Sequence, residues 1–151
     1  MRSRTLTTMA FANLLGVLGD AGWIGYWLFF PFVPFVTEFP AGLPILNGGK
    51  VVHAGERIVY HGGGTHYTDG VIVDVTAQLL NDVVIPLPDR RYTTVLGRFS
   101  AINSFYEVPL YAPAGKYRLV LDAIFHVNPL RSITYRVITE EFTVVAAEVK
   151  P

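Results

Sequence analysis

The chain has 151 residues, enough for one domain of ordinary size with an appendage and too few for two. Its formal charge sums to zero with no basic run, which excludes an electrostatic footprint for nucleic acid as a partner. Cysteine is absent, which excludes disulfides, thiolate chemistry and cysteine-ligated zinc.

Apolar residues make up 51% and charged ones 16%, where a soluble domain carries about 25% charged. The excess is local: between residues 5 and 37 the only charged side chain is Asp20, and all but two of the 12 Lys and Arg lie beyond Thr37. Residues 9–36, "MAFANLLGVLGDAGWIGYWLFFPFVPFV", exceed the roughly 20 helical residues that cross a bilayer core. The organisation this predicts is a cytoplasmic tail at 1–8, a transmembrane anchor at 9–36, a linker at 37–49 and a β-sandwich domain at 50–151. A cleaved signal peptide has a shorter apolar region and a small-x-small site, whereas this run ends in "PFVPFVTEFP". Arg2 and Arg4 precede the run and Lys50 is the first basic residue after it. The positive-inside rule then puts the N-terminus in the cytoplasm and exports the C-terminal domain, to a bacterial periplasm or a virion.

Asp20 has to be reconciled with such a span. Nine Leu, Ile, Val or Phe residues between Phe11 and Phe30 favour insertion by about 3–5 kcal/mol, and a central Asp opposes it by about 2.5–3.5. At 100° per residue, Ala12, Asn13, Gly16, Gly19, Asp20, Trp23 and Trp27 share one face, small and polar, opposite Leu14, Val17, Leu18, Leu28 and Phe29. Small residues let helix backbones approach, so this face is expected to associate with a second copy or another membrane helix, Asp20 finding a donor there. The alternative is a subunit of a protein assembly whose hydrophobic helix is buried in protein and not in lipid.

After the turn-rich linker, short β-rich runs alternate with Gly, Pro, Asn and Asp. Strands are predicted at 51–53, 57–61, 71–80, 83–86, 92–96, 99–108, 116–127 and 133–145. In "YRLVLDAIF" one face collects Tyr117, Leu119, Leu121, Ala123 and Phe125, the period of a half-buried antiparallel strand. Many strands without interposed helices favour two packed sheets. Pro113, Gly115 and Tyr117, leading into that long strand, resemble the E–F corner of immunoglobulin-like sandwiches. There the tyrosine hydroxyl ties back to the backbone. The fold class expected is therefore all-β, an immunoglobulin-like antiparallel β-sandwich preceded by one N-terminal transmembrane α-helix. Such a make-up resembles phage membrane and virion proteins, and the missing cysteines and glycosylation sequons fit a bacterial or bacteriophage source.

Chemistry is sparsely signalled. "HGGGTH" at 61–66 resembles an esterase oxyanion loop, but no Gly-x-Ser-x-Gly accompanies it, so it reads as a hairpin loop. His53, His61 and His66 match no standard metal spacing, and His126 reads as exposed. Asp89, Arg90 and Arg91 form the densest charge, a contact patch at a turn. No cofactor and no metal are called for. The expected function is that of a non-enzymatic structural or binding protein, membrane-anchored and oligomeric through its helix. Its partners would be the lipid bilayer and a protein ligand of the sandwich that the residues do not identify.

Overall fold

A computed structural model describes residues 2–29 and 32–146 of the chain, with side chains from Asn13 onward except Ile102. Two compact units divide it. One comprises residues 1–32 with the turn Asn128–Arg131, and the other Val33–Val127 with the chain from Ser132 on.

The first unit is built on helix α1 (Arg2–Phe29), which stops short of Pro31, whose ring cannot continue the hydrogen-bond ladder. Within the same unit Asn128 Nδ2 donates to the Trp27 carbonyl at 3.1 Å. Among the described residues no helix is long and apolar enough to cross a membrane. The reason lies in how the apolar run is used. Its last part leaves the helix and forms β1 (Phe35–Thr37), with Phe35 buried in a core cluster beside Val73 and Phe125. Within Asn13–Phe29, Gly16, Gly19, Asp20, Gly22 and Gly25 dilute the apolar character of what remains. The single-pass transmembrane anchor at 9–36, and the localisation built on it with a cytoplasmic N-terminus and a domain exported to a periplasm or virion, are therefore corrected.

The second unit is mostly β, in two sheets. The smaller has the order β1-β3-β6, with β3 (Arg57–His66) and β6 (Gly97–Glu107). The larger has the order β2-β9-β7-β4-β5, with β8 pairing β7. Its strands are β2 (Val51–His53), β4 (Ile72–Leu80), β5 (Val84–Thr93), β7 (Gly115–Asn128), β8 (Arg131–Ile138) and β9 (Phe142–Val145). The expected wholly antiparallel, immunoglobulin-like sandwich behind a membrane helix is corrected in its pairing as well. β2 runs parallel to β9, Val51 opposite Thr143, and Leu43 bridges Thr139 in parallel.

That bridge explains why the run 133–145 is two strands. Leu43 N–H donates to the Ile138 carbonyl and its carbonyl accepts from Glu140 N–H. Buried Thr139 turns its Oγ1 to accept from Leu119 N–H at 2.9 Å. The ladder is interrupted there and resumes as β9 on the other side of the break.

The main core lies between the sheets. Ile58, Tyr60 and Tyr106 from the smaller sheet meet Leu79, Leu119, Leu121 and Phe142 from the larger. Phe35, Val73 and Phe125 form a second cluster, joined to the first only through the half-buried Val75 and Val137. A core that divides in two leaves space between the parts.

Candidate functional site

The glycine run lies inside β3. Gly62, Gly63 and Gly64 face Ala101, Ser100 and Phe99 of β6, and Gly64 also faces Thr37 of β1. A Cβ on Gly64 would lie 2.3 Å from Phe35 Cε2 and 2.5 Å from the Val36 carbonyl oxygen. Glycine is required there because β1 crosses so closely, and backbone groups engaged in a ladder on both sides are not free to hold an oxyanion. The three histidines of this region go to separate places. His53 Nδ1 sits 3.1 Å from Glu56, His61 Nε2 lies 2.8 Å from Ser100 Oγ, and His66 is buried. Among the described residues no three or more His, Asp or Glu are grouped to hold a metal.

Asp89, Arg90 and Arg91 stand in strand β5, the edge of the larger sheet, where Pro86 and Pro88 are tolerated because one side of the strand has no ladder. Alternation separates the two arginines. Arg91 forks onto Asp74, and Arg90 lies over the Tyr106 ring at 4.1 Å and donates to the Phe105 carbonyl. Asp74 also accepts from His126 Nε2 at 2.8 Å, and His126 Nδ1 is 3.0 Å from Ser132 Oγ. Hydrogen bonds from Arg91, then from His126, draw the Asp74 carboxyl down to about 2. Ser132, His126 and Asp74 thus follow the order of nucleophile, base and orienting acid. Ser132 and His126 lie exposed on an open sheet face, where water is not excluded.

Pro113 and Tyr117 meet: the Tyr117 hydroxyl donates to the Pro113 carbonyl at 3.0 Å while the ring is buried. A Cβ at Gly115 between them would come within 2.9 Å of Asn81 Nδ2, so the Asn81 side chain would have to shift.

The feature that sequence reading missed is a cavity of about 430 Å³ between the two sheets. It occupies the gap between the two core clusters. Small residues are part of its lining, Gly62 and Gly63 on β3, Ala101 on β6 and Ala123 on β7. Its walls are aromatic, with Phe35, Phe99, Phe125 and Tyr92 around His66. The His66 ring stacks on Phe99 with centroids 4.8 Å apart and planes 12° apart, and is 5% exposed. Burial lowers its pKa, holding the imidazole neutral, and its Nδ1 has no hydrogen-bond partner. At the other end Tyr60 and Tyr106 stack, and burial pushes the Tyr60 hydroxyl up to about 12. Arg90 is the one permanently charged side chain lining the cavity.

Asn13, Gly16, Gly19, Asp20, Trp23 and Trp27 lie along one arc of α1, and the Trp23 and Trp27 rings are 5.8 Å apart. The side chain of Ala12 lies outside the described residues. The opposite arc is the more apolar: Leu14, Val17, Leu18 and Phe29 are between half and four-fifths exposed.

No family model matches the chain, and no curated protein matches it.

Proposed function

We propose that this protein is a non-enzymatic assembly subunit: copies of α1 associate with one another, and the two-sheet unit is carried as a binding module. The observation that supports this reading most is the solvent exposure of α1's apolar arc, 55% at Leu14, 65% at Val17 and 81% at Phe29. Covering Leu14, Val17, Leu18, Ile24 and Phe29 recovers about 1–1.5 kcal/mol apiece, or about 5–8 kcal/mol per helix. Two helices together offset an association cost of about 4–15 kcal/mol.

The side of the helix that associates follows from the solvent. In lipid, apolar side chains gain nothing by meeting each other, so small and polar residues mark the contact. Against protein in water the roles exchange: the arc of Leu14, Val17, Leu18 and Leu28 turns inward, and the face of Asn13, Asp20 and the glycines turns to water. Asp20 is then an ordinary solvated carboxylate, which answers why an otherwise apolar segment keeps it.

The chain's lack of cysteine makes the test direct. Under mild oxidation, full-length Leu18→Cys should give a disulfide-linked dimer and Asp20→Cys should not. Equal crosslinking at both positions, or none at Leu18→Cys, would count against the reading.

A further inference from the structure

Ser132, His126 and Asp74 come from three neighbouring strands of the larger sheet, β8, β7 and β4. Val73 and Phe125, next in chain to Asp74 and His126, turn into the core, so by alternation the acid and the imidazole stand on the outer face. The partners of Asp74 fix where the protons are. Hydrogen bonds from Arg91, then from His126, hold its carboxyl at about 2, so it is ionised at neutral pH and can only accept. In the neutral imidazole the proton therefore sits on Nε2, shared with Asp74 Oδ2 at 2.8 Å. The lone pair of Nδ1 is left to accept from the Ser132 hydroxyl at 3.0 Å. Arg91, forked onto the same carboxylate, keeps the negative charge there, so Asp74 orients the ring without taking its proton.

A second serine supplies the contrast. Ser100 Oγ lies 2.8 Å from His61 Nε2, but among the described residues no carboxylate is hydrogen-bonded to the other nitrogen of that ring. Ser132 is also open to an incoming molecule: it is exposed, and His126 is 43% exposed. Openness limits the chemistry. Where water is not excluded, attack is confined to esters whose leaving group departs without help.

We propose that Ser132 is an acylation site, its hydroxyl taking up the acyl group of an activated ester with a phenolate or thiolate leaving group. Ser132 Oγ forms a bond to the acyl carbon, and the bond from that carbon to the leaving oxygen or sulfur breaks, its electron pair departing as the phenolate or thiolate. The hydroxyl proton passes to His126 Nδ1, and the imidazolium then releases it to water. The product is an ordinary serine ester, whose hydrolysis must expel a far more basic alkoxide, so the acyl group stays. Ser132 is modified once per chain without turnover, and the site is independent of what α1 does.

The test is incubation of the full chain with p-nitrophenyl acetate, read by p-nitrophenolate release and by peptide mass spectrometry. The parent should release one equivalent in a burst that Ser132→Ala lacks, and Ser132 should be acetylated about tenfold or more faster than Ser100. His126→Gln removes the base and should bring Ser132 down to the rate of Ser100. In Asp74→Asn, Arg91 keeps the amide oxygen and the amide nitrogen faces the ring. Nitrogen NMR of His126 should then show the proton moved from Nε2 to Nδ1, with acetylation of Ser132 falling by a similar factor. Acetylation confined to lysines or the N-terminus, equal rates at Ser132 and Ser100, or an unchanged rate in His126→Gln would overturn the proposal. So would acetyl retained on His126, which would make the imidazole the nucleophile, or continued turnover that Ser132→Ala abolishes, which would make the site an esterase.

Discussion

Replacing Ala123 by phenylalanine should stabilise the two-sheet unit, the reverse of what such a change does in a filled core. Ala123 lies on β7 opposite Val75, in the inward row of Tyr117, Leu119, Leu121, Ala123 and Phe125. The other four are buried, and Ala123 alone is half-buried because it faces the cavity. Full burial of a phenylalanine side chain contributes about 1.5–3 kcal/mol. Fixing its rotamer costs roughly 0.5–1 kcal/mol, which leaves about 1–2 kcal/mol in favour of folding. For a unit of this size that corresponds to a rise in Tm of roughly 3–8 °C. In a close-packed interior the same insertion costs about 1–3 kcal/mol, so the two cases differ in sign. Urea unfolding of the full chain followed by far-UV circular dichroism separates them. A loss of 1 kcal/mol or more at an unchanged slope would refute the reasoning that space exists beside Ala123.

Gly64→Ala should cost about 2 kcal/mol or more, because its Cβ would collide with Phe35 and with the Val36 backbone oxygen, which cannot swing aside. Gly62→Ala, whose Cβ meets nothing closer than 3.8 Å, should stay within about 0.5 kcal/mol of the parent in the same urea titration. Tyr117→Phe removes one hydrogen bond to Pro113 and should cost about 0.5–1 kcal/mol, the low end because Pro113 is exposed and water can replace the hydroxyl. Stability should fall as pH drops below about 6.5, since the unfolded chain takes up a proton there that buried His66 resists, and His66→Phe should flatten that part of the profile. At the alkaline end it should fall as pH rises from about 10, where unfolded Tyr60 ionises and folded Tyr60, held up to about 12, does not. Tyr60→Phe should remove that contribution from a pH series of urea midpoints.

Where side-chain period governs the structure, the sequence carries it plainly. The stripe on β7 can be read from spacing, because alternation is local, and the Pro113–Tyr117 turn from its resemblance to the corner of immunoglobulin-like sandwiches. What spacing does not carry is partnership between distant segments. "HGGGTH" reads as a loop until β1 is seen crossing Gly64. "PLPDRRYT" reads as a turn between strands until it proves to be an edge, where proline is tolerated. Phe35–Thr37 continue the apolar run of α1, and their partners on β3 assign them to the sheet. The cavity had one faint signal: Ala123 is the small residue in a row of large ones, and Gly62, Gly63 and Ala101, also small, line the same space. The membrane span at 9–36 was expected because apolar residues on either side of the helix end were summed into one run.

The central claim, that α1 is covered by a second copy of itself, is tested most directly by sedimentation equilibrium of the full chain in detergent-free buffer, beside the double variant Leu14→Glu, Leu18→Glu. The parent should sediment at a discrete multiple of 16.7 kDa and the double variant at the monomer mass, with the same β-rich circular dichroism. A monomeric parent at micromolar concentration, or an unchanged mass in the variant, would contradict it.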